Sequence, residues 1–180
     1  MKRKTIIILT AALSVIFTLA LAGCGEKENP YGDAVRIHIR ANSNEKTDQD
    51  VKLKVRDAVV SFLTPLLVEC KDRDGALAVI SASLDGIAFA ADAALKENGF
   101  GYTASVRLAR EEFPKREYLE YTFESGFYDA LIVELGIGKG DNWWCVAFPP
   151  LCFVGDGSGG DVVYKSKIKE LIDKYFGDGE

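Results

Sequence analysis

The chain contains one histidine, His38, and histidine is the side chain best suited to acid–base catalysis near neutral pH. A hydrolase that used His38 would also need a nucleophile and a group that orients the imidazole. The sequence contains neither the GxSxG nor the HExxH pattern that would supply such groups. His38 alternates with apolar residues, and we interpret it as a surface or hydrogen-bonded strand residue, not a catalytic one.

A second pattern, Gly136-x-Gly138-x-Gly140, follows a predicted strand and faintly resembles a phosphate-binding loop. A dinucleotide site would require a helix directly after the glycines. The sequence continues instead with Asp141, Asn142 and two tryptophans. We therefore interpret the glycines as a turn that needs positive φ angles, and we expect no cofactor.

Three cysteines lie beyond the N-terminal region: Cys70, Cys145 and Cys152. Disulfides form outside the cytoplasm, and closing the short loop between the last two would stabilise the fold by roughly 2.5 kcal/mol in the chain-entropy model. The spacing does not match a zinc site and few other ligands lie nearby, so we expect no metal. Two alternatives remain for Cys145 and Cys152, a disulfide or two packed thiols. In both, Cys70 is expected to be buried at a helix end.

The segment 142–152 has the sequence NWWCVAFPPLC. Neighbours in an extended chain point to opposite sides, so Trp143 and Trp144 are not both expected to face the core. An exposed tryptophan is a favoured anchor of protein interfaces, and Phe148, Pro149 and Pro150 would add a stiff apolar segment. The alternative is that both indoles lie beneath a folded loop.

The N-terminus has the pattern of an export signal. Residues 2–4 are Lys-Arg-Lys, residues 5–22 are uncharged and mostly apolar, and residues 21–24 are Leu-Ala-Gly-Cys. The last four resemble the lipobox of bacterial lipoproteins, in which the cysteine receives a diacylglyceryl group before cleavage. We predict a lipoprotein signal over residues 1–23 and a lipid on Cys24. The alternative is an uncleaved signal anchor, since about 20 apolar residues span a bilayer. Both place the domain outside the cytoplasmic membrane.

The predicted signal changes the charge balance. Residues 1–23 hold three of the 22 basic residues and none of the 27 acidic ones, which leaves 19 against 27 and a net charge of −8. This sign argues against a nucleic-acid partner and against electrostatic adhesion to anionic lipid. Any attachment to the membrane is therefore expected to come from Cys24.

The elements that position these residues follow from hydrophobic periodicity. We expect a polar linker over residues 24–34 and a single domain over 35–180. The predicted fold is α+β, with helices packed on a mainly antiparallel sheet in the order β-α-α-β-β-β-loop-α. The predicted strands are 35–40, 102–110, 117–123 and 130–135, the helices are 47–66, 74–98 and a final one around 163–176, and the long loop is 136–160.

Several blocks together resemble the stage II sporulation protein R family of endospore-forming bacteria. The opening block, residues 36–43, contains Arg36, Asn42 and Ser43. The others are Phe-Pro-x-Arg-x-Tyr at 113–118, Gly-x-Tyr-x-Ala-Leu at 126–131, the three glycines at 136–140 and NWWCVAFPPLC at 142–152. The resemblance covers most of residues 35–153, and the last block is highly specific.

The resemblance implies an intercompartmental signal and not an enzyme. Such a protein is exported from the forespore into the space between the two septal membranes, where it activates a membrane-embedded aspartic protease that cuts the precursor of sigma factor E. We expect residues Asn142 to Leu151 to form the main contact with this protease. The strand with Arg36 and His38, followed by Asn42 and Ser43, is the alternative contact.

Two other functions fit an exported domain of this size. One is a cell-wall hydrolase that uses Cys145 or a carboxylate, and the other is a small ligand-binding lipoprotein. Activity of the purified domain on peptidoglycan would distinguish the hydrolase from the signal.

Overall fold

The computed structural model describes residues 31–118 and 121–150, with Tyr121 described through its backbone. The predicted signal, Cys24, Cys152 and the final helix lie outside these residues and stay predictions. The predicted linker is described over its last four residues. They form a turn in which the Ala34 amide donates to the Tyr31 carbonyl at 3.0 Å.

The core of the molecule is a four-stranded sheet covered on one face by helices. Its strands are β1 (Val35–Arg40), β2 (Ala104–Phe113), β5 (Gly126–Leu135) and β6 (Asn142–Phe148), in the order β2-β5-β1-β6. The β1–β5 pair is parallel, whereas β2–β5 and β1–β6 are antiparallel. The helices are α1 (Lys46–Leu67), α2 (Arg73–Ala82) and α3 (Leu84–Glu97). The predicted α+β class with a mainly antiparallel sheet is confirmed.

Two short strands, β3 (Arg116–Tyr118) and β4 (Tyr121–Phe123), form a hairpin of their own, with Arg116 opposite Phe123. The prediction of one continuous strand over 117–123 is therefore wrong. Alternation of apolar and polar residues has the same period on both arms of a hairpin, so it does not distinguish one strand from two.

The single helix predicted over 74–98 is also divided. Helices α2 and α3 meet at Ser83 with a bend of 62°. The Ser83 amide donates to the Ile80 carbonyl, three residues back, which is a tight turn at the end of α2. Apolar spacing continues through the bend because both helices bury one side, Ala76 and Ile80 in α2 and Ile87 and Ala91 in α3.

The start of α1 lies one residue before the predicted start of this helix at residue 47. The helix begins at Lys46, and the N-cap residue Glu45 makes no side-chain capping bond. The first turn is held instead by Asp48, which accepts hydrogen bonds from Asn42 and Ser43 at 2.8 and 2.6 Å. The negative charge of Asp48 also lies at the favourable end of the helix dipole.

Strand β1 is buried on both faces, which corrects the prediction that one face is buried. Val35, Ile37 and Ile39 point into the core between sheet and helices. Arg36 and His38 point to the opposite face, which we call the outer face, and they are 0% and 6% exposed. Sequence alternation assigns polar residues to solvent, but the β3–β4 hairpin and neighbouring strands cover these two.

The predicted loop 136–160 contains an edge strand. Residues 136–141 form the turn, and β6 then runs antiparallel to β1 with Ile39 opposite Trp143 and His38 opposite Trp144. β-Branched and aromatic residues favour a strand here, whereas the flanking glycines and prolines are typical of a loop.

Among the described residues, no single helix is long and apolar enough to span a membrane. The bent pair of α2 and α3 meets the length and composition criteria when the two helices are taken together.

The glycine turn before β6 is packed against the start of α1. Gly136 and Gly138 have φ angles of +58° and +61°, as predicted for this turn. A Cβ atom on Gly140 would lie closer to the Ser43 carbonyl oxygen than van der Waals contact allows. The turn therefore needs glycine for two reasons, backbone conformation at the first two positions and close approach at the third.

We predict that Gly140→Ala lowers the free energy of unfolding by about 2 kcal/mol or more, because a backbone atom must move. Gly138→Ala should lower it by about 1–2 kcal/mol because of its left-handed conformation. Gly101→Ala is the control, since a Cβ there meets nothing within 4 Å. Urea unfolding of the three variants measures these losses, which should be largest for Gly140→Ala and smallest for Gly101→Ala. Equal midpoints for Gly140→Ala and Gly101→Ala would contradict the close approach.

Candidate partner-binding surface

Arg36 lies at the centre of the outer face, enclosed by aromatic rings. Its guanidinium carbon is 4.7 Å from the ring centre of Phe113, 5.1 Å from Tyr128, 5.3 Å from Phe123 and 5.8 Å from Tyr118. We call these five residues the arginine box. Each ring presents its negative face or a polar edge to the cation, which offsets part of the lost hydration.

The arginine box joins the hairpin to the sheet through hydrogen bonds. Arg36 Nε donates to the Cys145 carbonyl at 3.1 Å, and Nη2 donates to the Tyr118 hydroxyl at 3.3 Å. Tyr118 in turn donates to the Trp144 carbonyl at 3.2 Å. Arg36 Nη1 is buried and has no acceptor in the part of the chain that the structure describes. Burial lowers the pKa of Arg36, which the two tyrosines partly counteract.

His38 lies beside the arginine box, and its contacts hold neighbouring side chains of the fold in place. Its Nδ1 is 3.1 Å from Glu111 Oε2, and Arg40 Nε donates to its Nε2 at 3.4 Å. The imidazole also lies 5.5 Å from the Trp144 ring and 5.8 Å from the Phe113 ring. Burial lowers the pKa of His38 below its ordinary value, against the opposing effect of hydrogen bonds to Asn142 and Glu111.

A network of four charges continues the outer face away from the box. Arg40 and Arg107 each contact both Glu111 and Glu134, so each carboxylate is shared by two arginines. Burial alone would raise the pKa of Glu134, but the hydrogen bonds and charges of the two arginines outweigh it and lower the pKa. The network leaves no carboxylate without a cation and fixes the side chains across β1, β2 and β5.

The two tryptophans lie on opposite faces of β6, as predicted. Trp143 packs against the helix-side core, where the Arg56 guanidinium lies 5.6 Å from its ring. Trp144 lies on the outer face, where the Arg116 guanidinium is 4.4 Å from its ring. Both side chains are partly exposed and Asn142 is exposed. Each indole therefore presents an edge to solvent while its body fixes the strand.

The rest of the predicted contact segment is buried up to Pro150, and its last residue, Leu151, lies outside the described residues. Phe148 is 4% exposed, and Pro149 and Pro150 are buried beyond the end of β6. These three side chains are not available to a partner in this conformation. Their contact with a partner stays a prediction. In the structure they pack at the end of β6 and support that strand.

Asn42 and Ser43 join three parts of the chain. Asn42 Oδ1 accepts from the Ile137 amide at 3.1 Å, and both residues donate to Asp48. Burial alone would raise the pKa of Asp48, but hydrogen bonds from Ser43, Tyr102 and Asn42 outweigh it and lower the pKa. The side chains of Asn42 and Ser43 are thus engaged within the fold, and their role as a partner contact stays a prediction.

The cysteines differ in their states. Cys145 is disulfide-bonded, and its partner lies outside the described residues. The pairing with Cys152 accordingly stays a prediction. The Cys70 thiol is buried near the end of α1, as expected, and donates to the Leu66 carbonyl at 3.5 Å. Burial raises the pKa of Cys70, with nearby acidic residues adding to the effect.

Sequence reasoning missed Arg116 as a surface residue and Glu111 as the partner of His38. Arg116 belongs to the Phe-Pro-x-Arg-x-Tyr block, so its position in a motif was the available signal. Nothing in the sequence indicated Glu111 as the partner of His38, because the two residues are 73 positions apart. Within residues 31–118 and 121–150, no group of three or more His, Cys, Asp or Glu side chains is arranged to hold a metal ion.

The comparisons with known proteins agree with the resemblance of these blocks. The model of the family described as stage II sporulation protein R matches residues 31–158. This chain belongs to the stage II sporulation protein R family. Stage II sporulation protein R of Bacillus subtilis (strain 168) is 32% identical over 182 residues, covering 96% of this chain and 80% of the relative. No solved structure matches the chain. Membership of the family gives the chain a role in sporulation.

The blocks that carry the family resemblance meet in two places in the fold. Arg36, Phe113, Tyr118 and Tyr128 come from three separate blocks and form most of the arginine box. The second place is where Asn42 and Ser43 contact the glycine turn. Much of the family pattern is therefore explained by packing, and the partly exposed members of the last block are the ones available for binding.

We predict that His38 makes folding stability depend on pH. Because its pKa is lowered in the folded state, the unfolded chain takes up the proton first, and stability is lost as the pH falls below about 6.5. Glu134 and Asp48, whose pKa values are also lowered, add losses only below about pH 4.5. Urea midpoints of the full chain between about pH 7.5 and 5 should fall, and His38→Gln should remove this slope. Since the chain has one histidine, an unchanged slope in the variant would contradict the assignment.

A second prediction concerns Cys145. Trypsin cuts after Lys139 and Lys165, so one peptide carries both Cys145 and Cys152. After alkylation in denaturant without reductant, this peptide should be unmodified and lighter than its reduced form by two hydrogen atoms. Cys70 is the internal control and should carry the alkyl group. Alkylation of both cysteines in the shared peptide would exclude the bridge.

Proposed function

We propose that the chain is an exported signalling protein of sporulation that activates a membrane-embedded aspartic protease, which then processes the precursor of sigma factor E. Membership of the stage II sporulation protein R family supports this proposal. The contact surface is inferred from β6, which is the edge strand of the sheet formed by the described residues and has one partly exposed tryptophan on each face.

The proposed contact surface comprises Asn142, Trp143 and Trp144. The indoles need little further ordering on binding, because Trp143 packs on the helix-side core and Trp144 packs on His38. Aromatic side chains that are already fixed lose little conformational entropy when they become an interface. Phe148, Pro149 and Pro150 serve in this proposal as a buried support for the end of the strand.

The contacts of His38 favour a binding role over hydrolysis. Its described polar neighbours are Glu111, Arg40 and Asn142, so none supplies a hydroxyl or thiol nucleophile. The arginine that donates to Nε2 also occupies the nitrogen that a general base would use. These observations motivate a signalling function, for which binding alone is sufficient.

Activation requires more than binding. The signal must favour the active state of the protease over its resting state, because equal affinity for both states leaves the equilibrium unchanged. A lipid on Cys24 would hold the domain close to its membrane, and the protease is itself embedded in one. The proposed anchor therefore raises the local concentration of the signal without contributing to the contact surface.

The test is co-expression of the full chain with the candidate protease and the sigma factor precursor. Trp143→Ala and Trp144→Ala are compared by precursor cleavage and by thermal melting of the same proteins. We expect at least one variant to lose signalling while keeping its melting temperature, since removing a tryptophan anchor costs about 2 kcal/mol or more of binding, roughly a thirtyfold loss of affinity.

Phe89→Ala is the matched control, because Phe89 is an aromatic residue that is 77% exposed on α3. It should signal as the wild type does. Early melting of both tryptophan variants would assign the indoles to the core and contradict the proposed surface. Absence of cleavage with wild-type protein would contradict the proposed function itself.

A further inference from the structure

The outer face of the sheet carries an excess of positive charge on a chain whose net charge is −5. The charged side chains of the arginine box, of the adjoining network and over Trp144 are four arginines and two glutamates: Arg36, Arg40, Arg107, Arg116, Glu111 and Glu134. The two glutamates are shared by Arg40 and Arg107. Within residues 31–118 and 121–150, no carboxylate pairs with Arg36 or Arg116.

Arg116 is the accessible member of this pair. It is partly exposed on β3, and its described contact is the cation–π stack on Trp144 at 4.4 Å. Within residues 31–118 and 121–150 it forms no ion pair, whereas the adjacent Lys115 pairs with Glu124 at 3.3 Å. A guanidinium that lies over an indole ring keeps N–H donors for other groups, and its planar fork suits bidentate binding of a carboxylate.

Arg36 lies beneath this position and has an unused donor. Its Nη1 atom is buried without an acceptor among the described residues, and its charge is close enough to Arg116 for the two to repel. A buried cation without a counter-charge raises the potential at the surface above it, because the low-dielectric surroundings screen it poorly. Among the described residues, therefore, no anion neutralises these two cations.

We propose that Arg116 and Trp144, with Asn142 beside them and Arg36 beneath, form a binding site for an acidic segment of a partner protein. A carboxylate of the segment pairs with the Arg116 guanidinium, and the neighbouring part of the segment packs on the exposed edge of Trp144. The site overlaps the proposed contact surface at Asn142 and Trp144. It specifies the chemistry of the segment that binds there, whichever protein carries that segment.

A peptide fits the site better than an anionic membrane does. The positive area is small and the chain as a whole is acidic, so an extended anionic surface would be repelled. A single extended segment reaches Arg116 and Trp144 without meeting the rest of the acidic surface.

The probe is a hexaglutamate peptide with blocked ends, titrated into the full chain in a non-ionic detergent. Binding is followed by calorimetry and by tryptophan emission, since Trp144, one of the chain's two tryptophans, lies in the proposed site. We expect binding that weakens as salt rises from about 0.05 to about 0.5 M. Arg116→Gln should reduce the affinity about tenfold, and Arg116→Lys, which keeps the charge but not the planar fork, should lose less.

Lys115→Gln is the matched control, because it removes the same charge from the neighbouring position. Its affinity should change by less than about twofold. Equal losses in Arg116→Gln and Lys115→Gln would overturn the proposal, as would an absence of peptide binding at low salt. Dihexanoyl-phosphatidylglycerol tests the lipid headgroup; binding of this lipid through Arg116 without binding of the peptide would also overturn it.

A measurement on the wild-type chain avoids dependence on the folding of a variant. The indole N–H signals of Trp143 and Trp144 are followed by NMR as hexaglutamate is added. The Trp144 signal should shift more than the Trp143 signal, because Arg116 lies over the Trp144 ring whereas Trp143 lies on the other face of β6. A larger shift of Trp143, or no shift of either, would contradict the assignment.

Discussion

The burial of Arg36 is the interaction on which the arrangement of the outer face depends. Removing a guanidinium from water costs several kcal/mol unless its charge and its donors are satisfied. Here the compensation comes from four aromatic rings, a backbone carbonyl and a tyrosine hydroxyl, which are contributed by β2, β3, β4, β5 and β6. The burial of the Arg36 cation therefore requires all these strands at once. If the hairpin were misplaced, the guanidinium would lose hydrogen bonds and ring contacts that compensate for its lost hydration.

The same requirement explains how the partly exposed tryptophan is held. Tyr118 accepts from Arg36 and donates to the Trp144 carbonyl, so a buried charge and a surface strand are connected through one hydroxyl. On the helix side, Lys52 donates to the Asp141 carbonyl at 3.1 Å just before β6 begins. The start of β6 is thus fixed from both layers, which gives rigid placement to side chains that nevertheless reach solvent.

The fold could be predicted in outline from periodicity, and the surface only in part. Val35, Ile37 and Ile39 alternate as a strand should, and their burial follows directly. The burial of Arg36 does not follow, because a cation at an alternate position is normally solvated and the rings that cover it lie 77 or more positions away in the sequence. The opposite placement of Trp143 and Trp144 was predictable from strand geometry, whereas the pairing of Arg116 with Trp144 depends on where the hairpin folds back.

The topology of β1 has a consequence for the order of events in the life of the chain. The central strand is made early, but its neighbours β5 and β6 follow much later, and Arg36 and Cys145 are 109 positions apart. Pairings of such sequence separation form slowly, since a long loop must close before they contribute. The sheet is therefore incomplete until nearly the whole domain has been synthesised. Delayed folding of this kind would keep the chain unfolded for passage through a translocation channel, as the proposed export requires.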